Sequence, residues 1–158
     1  MGGSLFEKQG ARRHTTAEVE KVKQEIQESL GLSEFELMFS RDLLHKETHG
    51  DLDIVVATYS GTREALESLL EGRGLPVVRS GNITSSLLGE LQVDFMFVDA
   101  VSAEFATEYY SFNDLGNILG FYAKALGLKL GEQGLYVESF VEQYGHARSY
   151  IDFDFYSV

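Results

Sequence analysis

The amino-acid sequence predicts an α+β fold: a mixed sheet with helices on one face, followed by a small C-terminal lobe. Three observations predict it. Apolar, β-branched and aromatic runs of strand length crowd between Phe35 and Val98. Amphipathic helical segments precede or interrupt those runs without a regular strand–helix alternation. After Ala100 the texture changes to two helical stretches and a glycine-flanked hairpin. With 158 residues, 44% hydrophobic and 12% aromatic, the chain can bury one compact core, with or without a small appendage. The expected organisation is an N-terminal tail over 1–14, a main domain over 15–108 and the lobe over 109–158.

Each element has a local cause. Thr15-Thr16-Ala17-Glu18 reads as a capping box, and Val19, Val22, Ile26 and Leu30 follow at helical spacing with Gly31 as a stop. Phe35, Leu37 and Phe39 alternate, so Glu34 to Phe39 is expected as a strand. Ser40 to Gly50 lacks periodicity and is expected as a loop with at most one helical turn. Leu52 to Thr58 is a β-branched run, the pattern of an inner strand. Thr62 is placed to cap a helix carrying Ala65, Leu66, Leu69 and Leu70, closed by Gly72 or Gly74. Strands follow over Pro76–Arg79, Ile83–Leu88 and Leu91–Val98, with turns at Gly81-Asn82 and Gly89-Glu90. Ala103–Tyr110 and Asp114–Leu126 read as helices, although Gly120 costs the second about 1 kcal/mol relative to alanine. Gly131-Glu132-Gln133-Gly134 joins two short strands. Ile151, Phe153 and Phe155 alternate, which predicts a terminal strand over Tyr150–Phe155.

Composition excludes several function classes. The chain contains no cysteine, so disulfide frameworks, thiolate zinc sites and cysteine nucleophiles are ruled out. No apolar run approaches the roughly 18 residues of a membrane span. Met1-Gly2-Gly3-Ser4 is no signal peptide, and Phe6 stands where a myristoylation signal wants Ser or Thr. The first residues read as a cloning remnant. The expected location is intracellular, cytoplasmic or nuclear, with no secretion and no membrane partner. Thirteen basic residues face 25 acidic ones, for a net charge of -12, and beyond residue 80 the basic ones are Lys124, Lys129 and Arg148. A duplex-gripping surface neutralises phosphates with Lys and Arg, so contact with DNA is expected to be local, weak, metal-assisted or lent by a protein partner. His14, His45, His49 and His146 lack metal-ligand spacing and are expected as surface or loop residues. The aromatic tail of Tyr136, Phe140, Tyr144, Tyr150, Phe153 and Phe155 is expected to pack or be covered rather than to stack bases, since Arg148 alone accompanies it.

The residues that carry chemistry are acidic. Gly50-Asp51-Leu52-Asp53 opens the inner strand, and carboxylates two residues apart on a strand project from one face. Gly50 permits close approach of a ligand or backbone. Asp94 interrupts the otherwise apolar run Leu91–Val98, where an unpaired carboxylate is costly. A D-x-D by itself is common. If these strands are neighbours, however, Asp51, Asp53 and Asp94 converge into an oxygen-only ligand set suited to magnesium. Such a set supports phosphoryl transfer by positioning and charge neutralisation. P-loop and dinucleotide-binding glycine patterns are absent from the sequence.

Read in register, Ser40-Arg41-Asp42-Leu43-Leu44-His45-Lys46-Glu47-Thr48-His49-Gly50-Asp51-Leu52-Asp53 resembles the signature G-S-x-R-R-G-K-E-T-x-G-D-x-D of family X DNA polymerases, the DNA polymerase beta kind. Four further blocks are similar in the same order. These are Phe6–Arg13 with Ala17-Glu18-Val19, Gly81–Asp94, Tyr109–Asn117 (against Y-F-T-G-S-x-x-x-N) and Gly127–Leu135 (against G-x-K-L-N-E-Y-G-L). The likeness runs from about Phe6 to Val137. It implies a nucleotidyltransferase-type palm over 15–108 and a thumb-like lobe over 109–158. It further implies that Asp51 and Asp53 bind two magnesium ions, with manganese as substitute, and that Asp94 binds the catalytic one and helps deprotonate a primer 3′-hydroxyl. Ser40, Arg41 and Gly50 would line the triphosphate, and Tyr109, Tyr110, Asp114 and Asn117 would face the sugar and base.

Departures fall on substrate contacts. Ser40-Arg41 replaces the phosphate-cupping Gly-Ser, Leu43-Leu44 replaces paired arginines, and Met96 and Phe121 stand where basic residues are usual. Phe112 stands in a turn position that suits glycine. The expected function is magnesium-dependent nucleotidyl transfer from a nucleoside triphosphate to a nucleic-acid 3′-hydroxyl, in repair or terminal transfer. The alternative is an accessory domain of the same fold with weak or no catalysis; transfer to a protein or small-molecule hydroxyl ranks third.

Overall fold

The computed structural model describes residues 4–28, 32–143 and 145–151. After a short 3-10 turn over Glu7–Gln9, the chain forms β1 (His14–Thr15) and enters α1 (Thr16–Glu28). The capping box forms reciprocally: Thr15 N–H donates to Glu18 Oε2 at 2.7 Å, and Glu18 N–H donates to Thr15 Oγ1 at 3.3 Å. β2 (Leu37–Phe39), β3 (Thr48–His49) and β4 (Asp51–Thr58) follow, then α2 (Thr62–Gly72). β5 (Val77–Ser80), β6 (Ile83–Leu88) and β7 (Leu91–Asp99) form a meander, and its turn glycines Gly81 and Gly89 take φ of 57° and 62°. α3 (Ala103–Tyr110) and α4 (Leu115–Ala125) lead into β8 (Lys129–Gly131), β9 (Gly134–Val141) and β10 (Gly145–Tyr150).

The main sheet has the order β2-β4-β7-β6-β5, with β4 and β7 parallel and the other neighbours antiparallel. A parallel pair needs a long crossover. Here α2 and the β5–β6 hairpin supply it. β4 and β7 are apolar on both faces because both faces are covered. Leu52, Ile54, Val56, Val93, Phe95 and Phe97 share a cluster with Val19 and Ile26 of α1 and Leu66 and Leu70 of α2. Val55, Ala57, Met96 and Val98 point the other way, against Ala103 and Ala106 of α3. Burial of Ile54, Val56 and Phe95, none with exposed surface, stabilises the fold by roughly 1.5–3 kcal/mol each.

The structure revises several expectations. Helices on one face describes α1 and α2, but α3 occupies the opposite face. The strand expected over Glu34–Phe39 shrinks to Leu37–Phe39, because Leu32–Glu34 forms a 3-10 turn. The segment 40–50, expected as a loop, contains β3, which pairs antiparallel with β1. This ribbon sets His14 opposite His49, and both are buried in strands, against the expectation of surface or loop positions. Thr62 is the first helical residue rather than the cap; its hydroxyl instead accepts from Tyr59 N–H at 2.9 Å. A strand not expected from the sequence forms over Gly145–Tyr150, whereas most of the segment expected as a terminal strand, with Phe153 and Phe155, lies outside the described residues.

Candidate active site

Asp51, Asp53 and Asp94 meet because of strand register. In the parallel pair, Asp53 lies opposite Asp94 and Asp51 opposite Gln92. Period 2 turns all four side chains to the α3 face of the sheet. One carboxylate oxygen from each aspartate falls within 4.8 Å of the others. The Gln92 side-chain amide donates to both oxygens of Asp94, at 3.1 and 3.0 Å, while its own carbonyl accepts from Leu5 N–H at 3.1 Å. Asp94 is thus tethered through Gln92 to the N-terminal segment, where Phe6 is buried.

The electrostatics are those of an uncompensated anionic cluster. Burial, and then the charges of Asp51 and Asp94, push the Asp53 carboxyl up to about 7. Burial and the neighbouring Asp94 also raise Asp51. Lys46 opposes both shifts. Three carboxylates this close, with the proton affinity of Asp51 and Asp53 raised, form a donor set that a hard divalent cation relieves more completely than a proton does. The residues present therefore fit magnesium or manganese: oxygen donors from rigid strands, with an adjacent cavity to admit water or phosphate oxygens.

That cavity measures about 500 Å³ and is lined by Asp51 and Asp53 together with Gly50, Tyr109, Tyr110, Asp114 and Asn117. Arg13, Lys46, Asn113 and Glu132 line it as well, and sequence reasoning had assigned them no role. Each nevertheless lies in a block that carries the family resemblance: Lys46 in Lys-Glu-Thr, Arg13 at the end of Phe6–Arg13, Asn113 in Tyr109–Asn117 and Glu132 in Gly127–Leu135. Tyr109 and Tyr110 stack edge to face with centroids 5.2 Å apart. Burial and the charge of Glu132 push the Tyr110 hydroxyl to about 12, so it stays a neutral donor. Asp114 and Asn117 are seated by Gly116. A Cβ on Gly116 would lie 2.3 Å from the Tyr109 carbonyl oxygen, so glycine is what lets α4 approach the end of α3.

Ser40 and Arg41 lie beside a smaller recess of about 30 Å³, which shares Lys46, Asp51, Asp53, Tyr110 and Asn113 with the main cavity. Ser40 Oγ donates to the Asp53 carbonyl oxygen at 3.1 Å. Arg41 N–H donates to Ser111 Oγ at 2.8 Å, and Phe112 N–H donates to the Arg41 carbonyl at 2.6 Å. The Arg41 guanidinium pairs with Glu108 and sits 5.2 Å from the Phe112 ring centroid. These contacts hold the turn between α3 and α4 in a left-handed conformation, with φ of 61° at Phe112 and 58° at Asn113. Phe112 therefore does adopt a glycine-like backbone, at a cost of roughly 1–2 kcal/mol that its contacts offset.

Among solved structures, the ternary P/T complex of Leishmania infantum polymerase beta aligns with 83% of this chain and 60% of that one, at 16% identity and a TM-score of 0.60. The ternary gap complex of the same protein aligns with 83% of this chain and 53% of that one, at 16% identity and a TM-score of 0.59. The chain has a polymerase beta-like fold. It spans about 60% or less of the length of those structures. No protein-family profile and no curated protein sequence matches it. On this polymerase beta-like scaffold the three carboxylates occupy the parallel strands β4 and β7, and the cavity opens toward α3 and α4. No described helix is long and apolar enough to cross a membrane.

Proposed function

We propose that the protein transfers a nucleotidyl group from a nucleoside triphosphate to a hydroxyl, the 3′-hydroxyl of a nucleic-acid strand, with magnesium or manganese as cofactor. The observation that carries this reading is the convergence of Asp51, Asp53 and Asp94 within 4.8 Å, with Asp53 and Asp94 in direct register. Asp51 and Asp53 would hold both ions, and Asp94 the catalytic one. Bound divalent cations would lower the pKa of that hydroxyl and neutralise charge on the departing pyrophosphate. Asp94, aimed by Gln92, receives the hydroxyl proton. Tyr109 and Asn117 bracket the sugar and base, and Tyr110 donates a hydrogen bond from its neutral hydroxyl. With a net charge of -12, hold on DNA is expected to be short and dominated by the metal-centred contacts, or assisted by a partner protein.

A second reading, an accessory domain with little catalysis, is favoured by one observation. Arg41 is committed to Glu108 and Phe112 beside a recess of about 30 Å³. Incubation with a labelled nucleoside triphosphate, magnesium and gapped DNA separates the two. Incorporation that depends on the divalent cation and disappears in Asp53→Asn supports transfer. Magnesium-dependent nucleotide binding without incorporation supports the accessory reading, and absence of both overturns the two together.

A further inference from the structure

The basic residues beyond position 80, Lys124, Lys129 and Arg148, are scattered along the sequence but gathered in space. In the sheet β8-β9-β10, Tyr150 lies opposite Tyr136, Arg148 opposite Glu138 and His146 opposite Phe140, while Lys129 faces Tyr136 from β8. Cross-strand partners share a face of the sheet, as do residues two apart along β9. All these side chains therefore project from one side. Their contacts agree with that register. The Arg148 guanidinium sits 5.0 Å from the Tyr136 ring centroid, the Tyr136 and Tyr150 rings are 5.4 Å apart, and the Phe140 and His146 rings 5.3 Å.

Glu138 is the hub of this face. It pairs with Lys129 and lies 3.6 Å from Arg148 and 3.9 Å from His146. Its side chain is 18% exposed, against 53% for Lys129 and 51% for Arg148. The carboxylate is thus recessed beneath cations that it orients without using all their donors. Exposed aromatic rings flank this charged centre, Phe140 on one side and Tyr150, beside Tyr136, on the other. Phe140 and Tyr136 are four residues apart on β9, roughly 13 Å along the strand. Ring, cation and ring in that order match the alternating bases and phosphates of an unpaired strand.

The face is also connected to the candidate active site. Lys129, Tyr136 and Glu138 line a cavity of about 860 Å³ together with Lys124 and Phe121 of α4, and that cavity shares Tyr109, Asp114 and Asn117 with the one beside the carboxylates. Phe140, His146, Arg148 and Tyr150 all lie beyond Val137, where the resemblance to family X ends. Arg148 alone accompanies the aromatic tail in sequence, whereas the fold adds Lys129 to the same face and Lys124 to its flank.

We propose that the β9–β10 face is a stacking platform for single-stranded nucleic acid, with bases on Phe140 and on the Tyr136–Tyr150 pair and phosphates on Arg148 and Lys129. This contact goes beyond nucleotidyl transfer and needs neither metal nor triphosphate. A duplex keeps its base faces inside its own stack, so the rings engage unpaired strands only. Few phosphates are neutralised, so binding is weak and falls with salt.

The test is fluorescence anisotropy of a labelled oligothymidylate, and of a duplex of equal length, in EDTA at low ionic strength. Wild type is compared with Phe140→Ala, Phe140→Trp and Arg148→Met, and circular dichroism establishes that each variant is folded. A stacking platform predicts single strand bound at least about fivefold more tightly than duplex, and about fivefold or more lost in Phe140→Ala. Phe140→Trp retains affinity, and Arg148→Met reduces the slope of log affinity against log salt by about 0.7. Equal binding of the two nucleic acids, unchanged affinity in Phe140→Ala, or no binding by wild type would overturn the platform. So would sedimentation velocity in which this face joins two copies of the chain, monomeric in Phe140→Ala, with no oligonucleotide bound. Because metal and triphosphate are left out, a failure of nucleotide incorporation leaves platform binding standing, and loss of platform binding leaves transfer to be judged by its own assay.

Discussion

Asp53 and Asp94 are direct cross-strand partners in the parallel β4–β7 pair, so two carboxylates from positions 41 residues apart share one step of the ladder. A slip of one residue in either strand would turn one of them into the apolar face with Ile54 and Phe95. The buried residues on both sides of that pair hold the site in register, and the properties of the site follow from that juxtaposition.

The first consequence is pH dependence. Asp53 titrates near 7 in the folded chain, because of burial and then its acidic neighbours, against 3.8 when unperturbed. The folded state therefore binds the proton more tightly than the unfolded state does. This residue's contribution to stability is fully present below about pH 4 and is lost as pH rises through about 7. In metal-free buffer, Asp53→Asn should raise the melting temperature at pH 8, by an amount on the order of 1–2 kcal/mol of stability, and should change it little at pH 4. Thermal denaturation at the two pH values checks this; an equal effect at both would contradict the assigned titration.

A second concerns Gln92, which lies in the Gly81–Asp94 block of the resemblance but carried no assigned role. Gln92→Leu removes the amide that donates to both Asp94 oxygens and leaves Leu5 N–H without its acceptor. Loss of such an outer-shell partner costs about 10–100-fold in metal affinity or activity. The expected result is a corresponding drop in manganese affinity, largely restored in Gln92→Asn only if the shorter amide still reaches Asp94. Manganese titration of the two variants measures it, with unchanged affinity in Gln92→Leu as the contrary outcome.

A third concerns the approach of α4 to α3. Gly116→Ala places a methyl carbon 2.3 Å from the Tyr109 carbonyl, which forces the helices apart. Destabilisation of about 1–3 kcal/mol is expected, with a raised KM for the nucleoside triphosphate, because Tyr109 and Asn117 move relative to β4. Chemical denaturation and steady-state kinetics read the two effects. Gly120→Ala, where the nearest atom would lie at 3.9 Å, is the control and should be neutral or stabilising.

Much of this arrangement was legible in the residues. The β-branched run at Leu52–Thr58 and the acid that interrupts Leu91–Val98 place three carboxylates on one face as soon as the two strands are adjacent, and the meander over Ile83–Leu88 followed from its turn glycines. The opposite position of α3 was less legible, although Val55, Ala57, Met96 and Val98 carried the hint by making both faces of β4 and β7 apolar. β1 and β3 are each too short to show a period, so their pairing and the burial of His14 and His49 depend on contacts 35 residues apart. The left-handed Phe112 reverses its local preference because Arg41 and Ser111 fasten the turn from outside. The meeting of Lys46 and Arg13 in the lining of one cavity is likewise tertiary, since 33 positions of sequence separate them.

The most direct test of the whole account is manganese binding at pH 8, followed by electron paramagnetic resonance or calorimetry, in wild type, Asp53→Asn and Asp94→Asn. A site built by all three carboxylates predicts saturable binding in the wild type that is reduced at least about tenfold by either substitution. Binding that is absent from the wild type, or that survives unchanged in both variants, would contradict it.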